Sequence, residues 1–255
     1  MSSKIEAKTQ EELNLMTEGG KILGEIINEL ALRVKAGIST GELNDLTLKF
    51  CQQKKVKPSF LSVPGYSYAI CTGRNDNAVH GIPKYTDIVA DGDIVTIDLG
   101  VYHKGYHTDS AVSLIVGKGD IDARRLLTTT KLALSTAIMQ AKVGNQVGDI
   151  SNAIETIARM AGFSPLVQMV GHGIGKKLHE SPDVPCVGKP HTGLKLVKNM
   201  TIAIEPMITE KGSEIYVLSD GWTTKTVDGS RFSIFEHTVV VGEEGGKVLT
   251  PTNLF

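Results

Sequence analysis

Cysteine is scarce: three residues in 255 (Cys51, Cys71 and Cys186), an odd number with no CxxC spacing. That excludes a disulfide framework and a zinc knuckle. An excess of one charge is lacking as well. Lys and Arg number 27 against 28 Asp and Glu, a net charge of −1. There is therefore no global basic field to hold nucleic acid or an anionic membrane. No apolar run reaches membrane-spanning length, and the start, MSSKIEAKTQEEL, has no stretch of signal-peptide type. The expected setting is the reducing cytoplasm, with neither a membrane nor a specific nucleic acid as partner. Asn199-Met200-Thr201 is then a chance glycosylation spelling. Phosphate-binding and zinc-protease signatures are also lacking, with no GxxxxGK[ST] and no HExxH. In GHGIGK the glycines fall at 171, 173 and 175, and Lys176 stands where a dinucleotide fingerprint would need glycine.

What is present is an ordinary globular composition, 41% hydrophobic and 22% charged, with enough chain for a sizeable core. No low-complexity or Pro/Ser-rich linker divides it, so residues 1–255 read as a single domain. Residues 18–34 place Ile22, Leu23, Ile26, Ile27 and Leu30 at helical spacing. A second helix begins near Ser39-Thr40-Gly41-Glu42, with a hydroxyl as N-cap. A loop over 58–75 follows, then strands over 94–99 and 109–116 about a turn near His103-Lys104-Gly105. Helical patterns cover 121–142 and 147–161, and strand-like runs lie near 167, 201–207, 214–218 and 234–241.

The second half repeats the order of the first. Lys35-Ala36-Gly37 with Gly41-Glu42-Leu43 resembles Lys142-Val143-Gly144 with Gly148-Asp149-Ile150, displaced by 107 positions. The same displacement sets Val95-Thr96-Ile97-Asp98 on Ile202-Ala203-Ile204-Glu205. Duplicated halves, about 1–120 and 121–255, would each deliver an acid from the end of an apolar strand.

Asp98 lies in a run that otherwise reads as buried strand, where a lone carboxylate is costly. A hairpin turning at His103-Lys104 would set Asp98 directly opposite Asp109, about 5 Å apart between β-carbons. That pairing is repulsive unless a cation intervenes. Glu205 in TIAIEPM and Glu236 in SIFEHTVVV occupy similar settings. Four carboxylates match two divalent cations, and a neutral imidazole, His172 in GHGIG, can complete the set. Such donors favour Mn(II), Fe(II), Co(II) or Zn(II) over thiophilic ions. His179 follows in LHESP, and His80 lies in a loop, NAVHGIP, where a surface and a catalytic role are equally open. His237 is a candidate to orient Glu236, while His103, His107 and His191 read as structural or exposed.

These residues, in this order, resemble the type I methionine aminopeptidases of the pita-bread (creatinase/aminopeptidase) fold. The resemblance is carried by HGIP at 80–83, IDLGVYHKGYHTD at 97–109, GHGIGKKLHESP at 171–182, AIEPM at 203–207 and FEHTVVV at 235–241. It implies an α/β (α+β) class, with two helix-plus-antiparallel-sheet halves about a central dimetal site. It further implies that Asp98, Asp109, His172, Glu205 and Glu236 bind two metal ions, with Asp109 and Glu236 bridging. A water or hydroxide between the ions would attack the first peptide bond, and Glu205 would shuttle its proton. His179 would stabilise the oxyanion, and His80 would contact the substrate amide or protonate the leaving amine. The methionine pocket would map to Tyr66, Cys71, Leu178 and Trp222, the only tryptophan.

The implied enzyme removes N-terminal methionine before a small second residue, from peptides and from nascent chains at the ribosome, and acts as a monomer. The chain departs from the family pattern at Ile234 (usually Gln), Phe60 (often Cys), Gly100 (often Thr) and Gly73-Arg74 (usually small or apolar residues). These departures bear on the second-residue subsite and on efficiency. Two other readings share the fold: a proline-type peptidase, which usually carries an extra N-terminal domain, and a non-catalytic binding protein, which typically loses ligands.

Overall fold

In the computed structural model, which describes residues 7–255, the elements run in two matching series. The first comprises α1 (Gln10–Ala31), α2 (Thr40–Gln53), β1 (Lys57–Pro58), β2 (Cys71–Arg74), β3 (Ile94–His103) and β4 (Tyr106–Ile115). The second opens with α3 (Ile121–Gln140), α4 (Val147–Met160), β5 (Ser164–Pro165), β6 (Val170–Gly173) and β7 (Glu180–Pro185). It continues with β8 (Thr201–Ile204), β9 (Met207–Thr209), β10 (Ile215–Val217), β11 (Thr224–Thr226), β12 (Phe232–Ile234), β13 (His237–Val240) and β14 (Lys247–Val248). Among the described residues, these strands pair with one another in antiparallel fashion. No helix among the described residues is long and apolar enough to cross a membrane.

The 107-residue displacement holds in three dimensions. α2 and α4 begin and end 107 positions apart, as do β1 and β5. Each short helix follows a glycine with positive φ, Gly37 at 92° and Gly144 at 93°. Each has an acid in its first turn accepting from the N-cap backbone: Glu42 from Ser39 at 2.9 Å and Asp149 from Gln146 at 2.8 Å. Lys57 pairs with Tyr102, and Ser164 with Thr209, so the partners shift by 107 as well. α1 starts earlier than its hydrophobic period indicates, because Thr9 and Glu12 form a full capping box.

The β3–β4 register differs from the sequence reading. His103 pairs with Tyr106 across a two-residue turn, Lys104-Gly105, whose φ angles of 47° and 97° are both left-handed. Such a turn matches the twist of the flanking strands. It lies one position later than expected, so Gly100 faces Asp109 and Asp98 faces Ala111. The two aspartates are therefore diagonal neighbours on one face of the hairpin rather than directly opposed.

In the second half the long antiparallel pair is interrupted. Ile204 pairs with His237, and Met207 with Ile234, in one unbroken register, but Glu205-Pro206 and Phe235-Glu236 between them leave the ladder. Pro206 has no N–H to donate. The Glu236 N–H instead reaches Ala111 O at 2.8 Å, and Ser110 Oγ donates to Glu236 O at 2.7 Å. The Thr238 hydroxyl accepts from Asp109 N at 2.8 Å and donates to Asp109 O at 2.9 Å. This seam joins the halves where the acids stand. Behind it, Leu23, Ile27 and Leu30 of α1 and Leu126 and Leu134 of α3 pack on Ile97, Leu99, Ile202 and Ile204 in one core.

Candidate metal centre and substrate cavity

Strand alternation sends Asp98 and Asp109 to the same side of the β3–β4 hairpin, and the interrupted ladder sends Glu205 and Glu236 towards them. One cavity of about 900 Å³ is lined by all four acids and by His172. His80, His179, Tyr66, Cys71, Leu178 and Trp222 line it too, whereas His237 does not.

Ligand atoms of Asp109, His172 and Glu236 lie within 4.8 Å of one another. His172 Nε2 is 3.9 Å from Glu205 Oε1. His172 Nδ1 bonds Gly173 O at 2.8 Å, which makes Nδ1 the proton-bearing nitrogen and leaves the Nε2 lone pair towards the acids. Burial, and then charge on His179, holds this imidazole down at about 4, so it is neutral at pH 7.

Burial pushes the Asp98 carboxyl up to about 7. Asp109 is driven well up by burial and then by Asp98, and Glu205 by burial, then Asp98 and Asp109. Glu236 follows the same pattern, with Asp109 its strongest neighbour. Asp98 and Glu205 are half-buried, while Asp109 and Glu236 are buried. Glu236 Oε1 is buried with no hydrogen-bond partner. Four crowded carboxylates, an orphaned buried oxygen and an unprotonated ring nitrogen form a donor set suited to hard or borderline divalent cations.

The His179 ring stands edge-on to His172, with centroids 4.4 Å apart. His80 takes a left-handed φ of 56° and keeps its side chain open to the cavity. Burial lowers the basicity of both imidazoles, so each is a neutral hydrogen-bonding group near pH 7. His237 does not orient Glu236. Its Nδ1 meets Thr250 Oγ1 at 3.1 Å and its ring lies against Phe255, because adjacent strand residues face opposite sides. His107 is buried against the Ser59 hydroxyl at 2.9 Å, His103 lies 3.3 Å from Glu18, and His191 is exposed beside Asp149.

Next to the acids is an apolar slot. The Tyr66 and Trp222 rings meet edge-to-face at 5.0 Å, and the Tyr66 hydroxyl is satisfied by Ile70 O at 2.9 Å. Leu178 and Cys71 are buried in the same cluster. Phe60, noted in the sequence only as a departure, also lines the cavity, with its ring 6.4 Å from Tyr66. Its placement depends on Gly100: a β-carbon there would lie 2.7 Å from Ser59 Cβ and 3.3 Å from the Phe60 ring. Nothing in the local sequence couples positions 59–60 to 100; only strand packing does. Arg74 is not at the cavity; it binds Asp87 and Asp93, each at 2.7 Å. Ile234 is buried opposite Met207.

A family model described as metallopeptidase family M24 matches residues 14–243. Over 246 residues, 96% of this chain and 99% of the relative, the sequence is 39% identical to methionine aminopeptidase 1 of Bacillus subtilis. The fold superposes on the crystal structure of a methionine aminopeptidase from Thermotoga maritima with a TM-score of 0.95, at 38% identity, covering 97% of this chain and 99% of that one. A prolidase from Pyrococcus furiosus shares the fold at a TM-score of 0.79 and 22% identity, with 97% of this chain covering 66% of the prolidase.

Proposed function

We propose that this chain, which belongs to metallopeptidase family M24 and is a methionine aminopeptidase, cleaves the bond between an N-terminal methionine and a small second residue of peptides and nascent proteins. The observation that carries this reading is the opening of the aromatic slot and the acid–imidazole cluster into one cavity. A thioether against the edges of Tyr66 and Trp222 gains about 0.3–1.5 kcal/mol beyond burial, which favours Met over an isosteric alkyl chain.

Asp98, Asp109, His172, Glu205 and Glu236 would hold two divalent cations. Cations bound there supply Lewis-acid polarisation of the scissile carbonyl and acidify the attacking water. Glu205 takes the proton that the water gives up and returns it to the leaving amine. His179, neutral and open to the cavity, donates to the oxygen on which negative charge develops. His80 holds the substrate amide, orienting the leaving nitrogen.

A panel of Met-Xaa and Xaa-Pro peptides, assayed with defined Mn, Fe, Co or Zn loading, tests the reading. Met-Ala and Met-Gly peptides are expected to be cleaved, bulky second residues to slow the reaction at least tenfold, and Xaa-Pro peptides with a first residue other than methionine to survive. Cleavage of Xaa-Pro in preference to Met-Ala would overturn it.

A further inference from the structure

We propose that Thr224, on β11, is a positioning residue for His80: its buried hydroxyl clamps the peptide that precedes His80 and so fixes where that imidazole stands in the cavity. This rests on the reading of His80 as a substrate-contacting group. A left-handed backbone at a residue with a β-carbon persists only where its surroundings over-determine it. Here the determination comes from far along the chain. Thr224 Oγ1 accepts from Val79 N at 2.9 Å and donates to Val79 O at 3.0 Å, closing both polar groups of the residue before His80. The strand backbone adds Ala78 N to Thr224 O at 2.9 Å and Thr224 N to Val79 O at 3.1 Å.

On the other side, Ile82 N donates to Thr223 Oγ1 at 3.1 Å, and Thr72 N donates to Gly81 O at 3.0 Å. A β-carbon on Gly81 would fall 2.2 Å from Thr72 O, so the loop has no slack there. Residues 78, 79, 81 and 82 are therefore all tied, and His80, the exposed residue of the segment, faces the cavity beside the buried Val79. Thr223 and Thr224 are 3% and 1% exposed, so water cannot substitute for either hydroxyl.

The same short segment carries the slot wall. Asp220 accepts from Trp222 N at 3.0 Å, from Thr223 N at 2.8 Å and from the Thr223 hydroxyl at 2.9 Å. The segment 220–224, in which Thr223 and Thr224 are buried and Trp222 is half-buried, thus sets both the ring that meets the methionine side chain and the loop that presents His80. Replacing Thr224 by the isosteric Val keeps the packing but leaves the Val79 N–H without its side-chain acceptor next to the strained residue.

The test is steady-state cleavage of Met-Ala-Ser by metal-loaded Thr224→Val, Thr224→Ser, His80→Ala and the Thr224→Val/His80→Ala double variant, with metal content and melting temperature measured on each. Thr224→Val is expected to lower kcat about tenfold or more with KM and metal content unchanged. Thr224→Ser, which keeps the hydroxyl, is expected to recover kcat to within about twofold. In the His80→Ala background the Thr224→Val change should add less than about twofold, because the two act as one unit. Full kcat in Thr224→Val, or losses that multiply in the double variant, overturns the proposal. Full kcat in His80→Ala overturns the reading of His80 itself, and the clamp's catalytic meaning with it. Should Thr224→Val fail to fold, Thr224→Ala removes the same hydroxyl with a smaller side chain; undiminished kcat there overturns the proposal equally.

Discussion

Glu236 shows how much chemistry one side chain can concentrate. It is sealed from solvent, one of its oxygens has no partner, and three other carboxyls press on it. Burying such a group costs stability unless a cation or a proton compensates. Glu236→Gln keeps the shape and removes the charge. We expect the metal-free variant to melt at or above the temperature of the metal-free parent. Metal content should fall and cleavage should drop by at least about a hundredfold. Melting curves, elemental analysis and the peptide assay check the three parts, and a variant that keeps its metal and its rate would remove Glu236 from the centre. The four acids and His172 stand out in the residue string as local anomalies, acids in apolar runs and a histidine among glycines, whereas His80 read equally as a surface-loop residue and took its role, like His179, from the family resemblance. Phe60 was not legible as a slot residue, since its ring is admitted by the bare α-carbon of Gly100, 40 positions on.

Among the elements, α1 illustrates a short-range signal that outweighs periodicity. Glu12 accepts from Thr9 N at 2.8 Å, from the Tyr106 hydroxyl at 2.7 Å, and faces Lys176 at 3.2 Å. These contacts, the backbone bond foremost, hold its carboxyl at about 2 rather than 4.5. A depressed carboxyl stabilises the fold above its ordinary value, and the contribution fades as pH falls from there towards the held value. Glu12→Gln should therefore cost about 1 kcal/mol near neutrality, and the deficit should shrink as pH falls from 4.5 towards 2. Urea unfolding at several pH values measures this; a deficit that does not change with pH would show that the charge is not its source. The Thr-x-x-Glu start of α1 lay outside the periodic run 18–34 by which that helix was expected, and the strands β7, β11 and β14 were not legible either. Their few residues lack a hydrophobic period of their own, and only the neighbouring strands give them an identity.

Across the whole molecule the candidate ligands come from both halves: Asp98 and Asp109 from the first, His172, Glu205 and Glu236 from the second. Metal bound there would act as a staple over the β4–β13 seam, on top of the Asp109–Thr238 and Ser110–Glu236 bonds. At free metal of about 100 times Kd, mass action adds about 2.7 kcal/mol, which for a chain of this size is a rise of roughly 5–10 °C in Tm. Stripping the metal with a chelator should reverse that rise and its dependence on metal concentration; a Tm indifferent to chelation would count against a site spanning the halves. The amino-acid string by itself determined the duplicated order of helices and strands, the hydroxyl cap at the start of α2, and which acids stand in apolar runs, because each depends on neighbours a few residues away. Only the tertiary structure decided that Asp98 and Asp109 meet diagonally and that Glu205 and Glu236 leave their ladder to join them. Those outcomes follow from a two-residue turn, a proline and hydrogen bonds between strands more than 120 positions apart, none of which a local pattern contains.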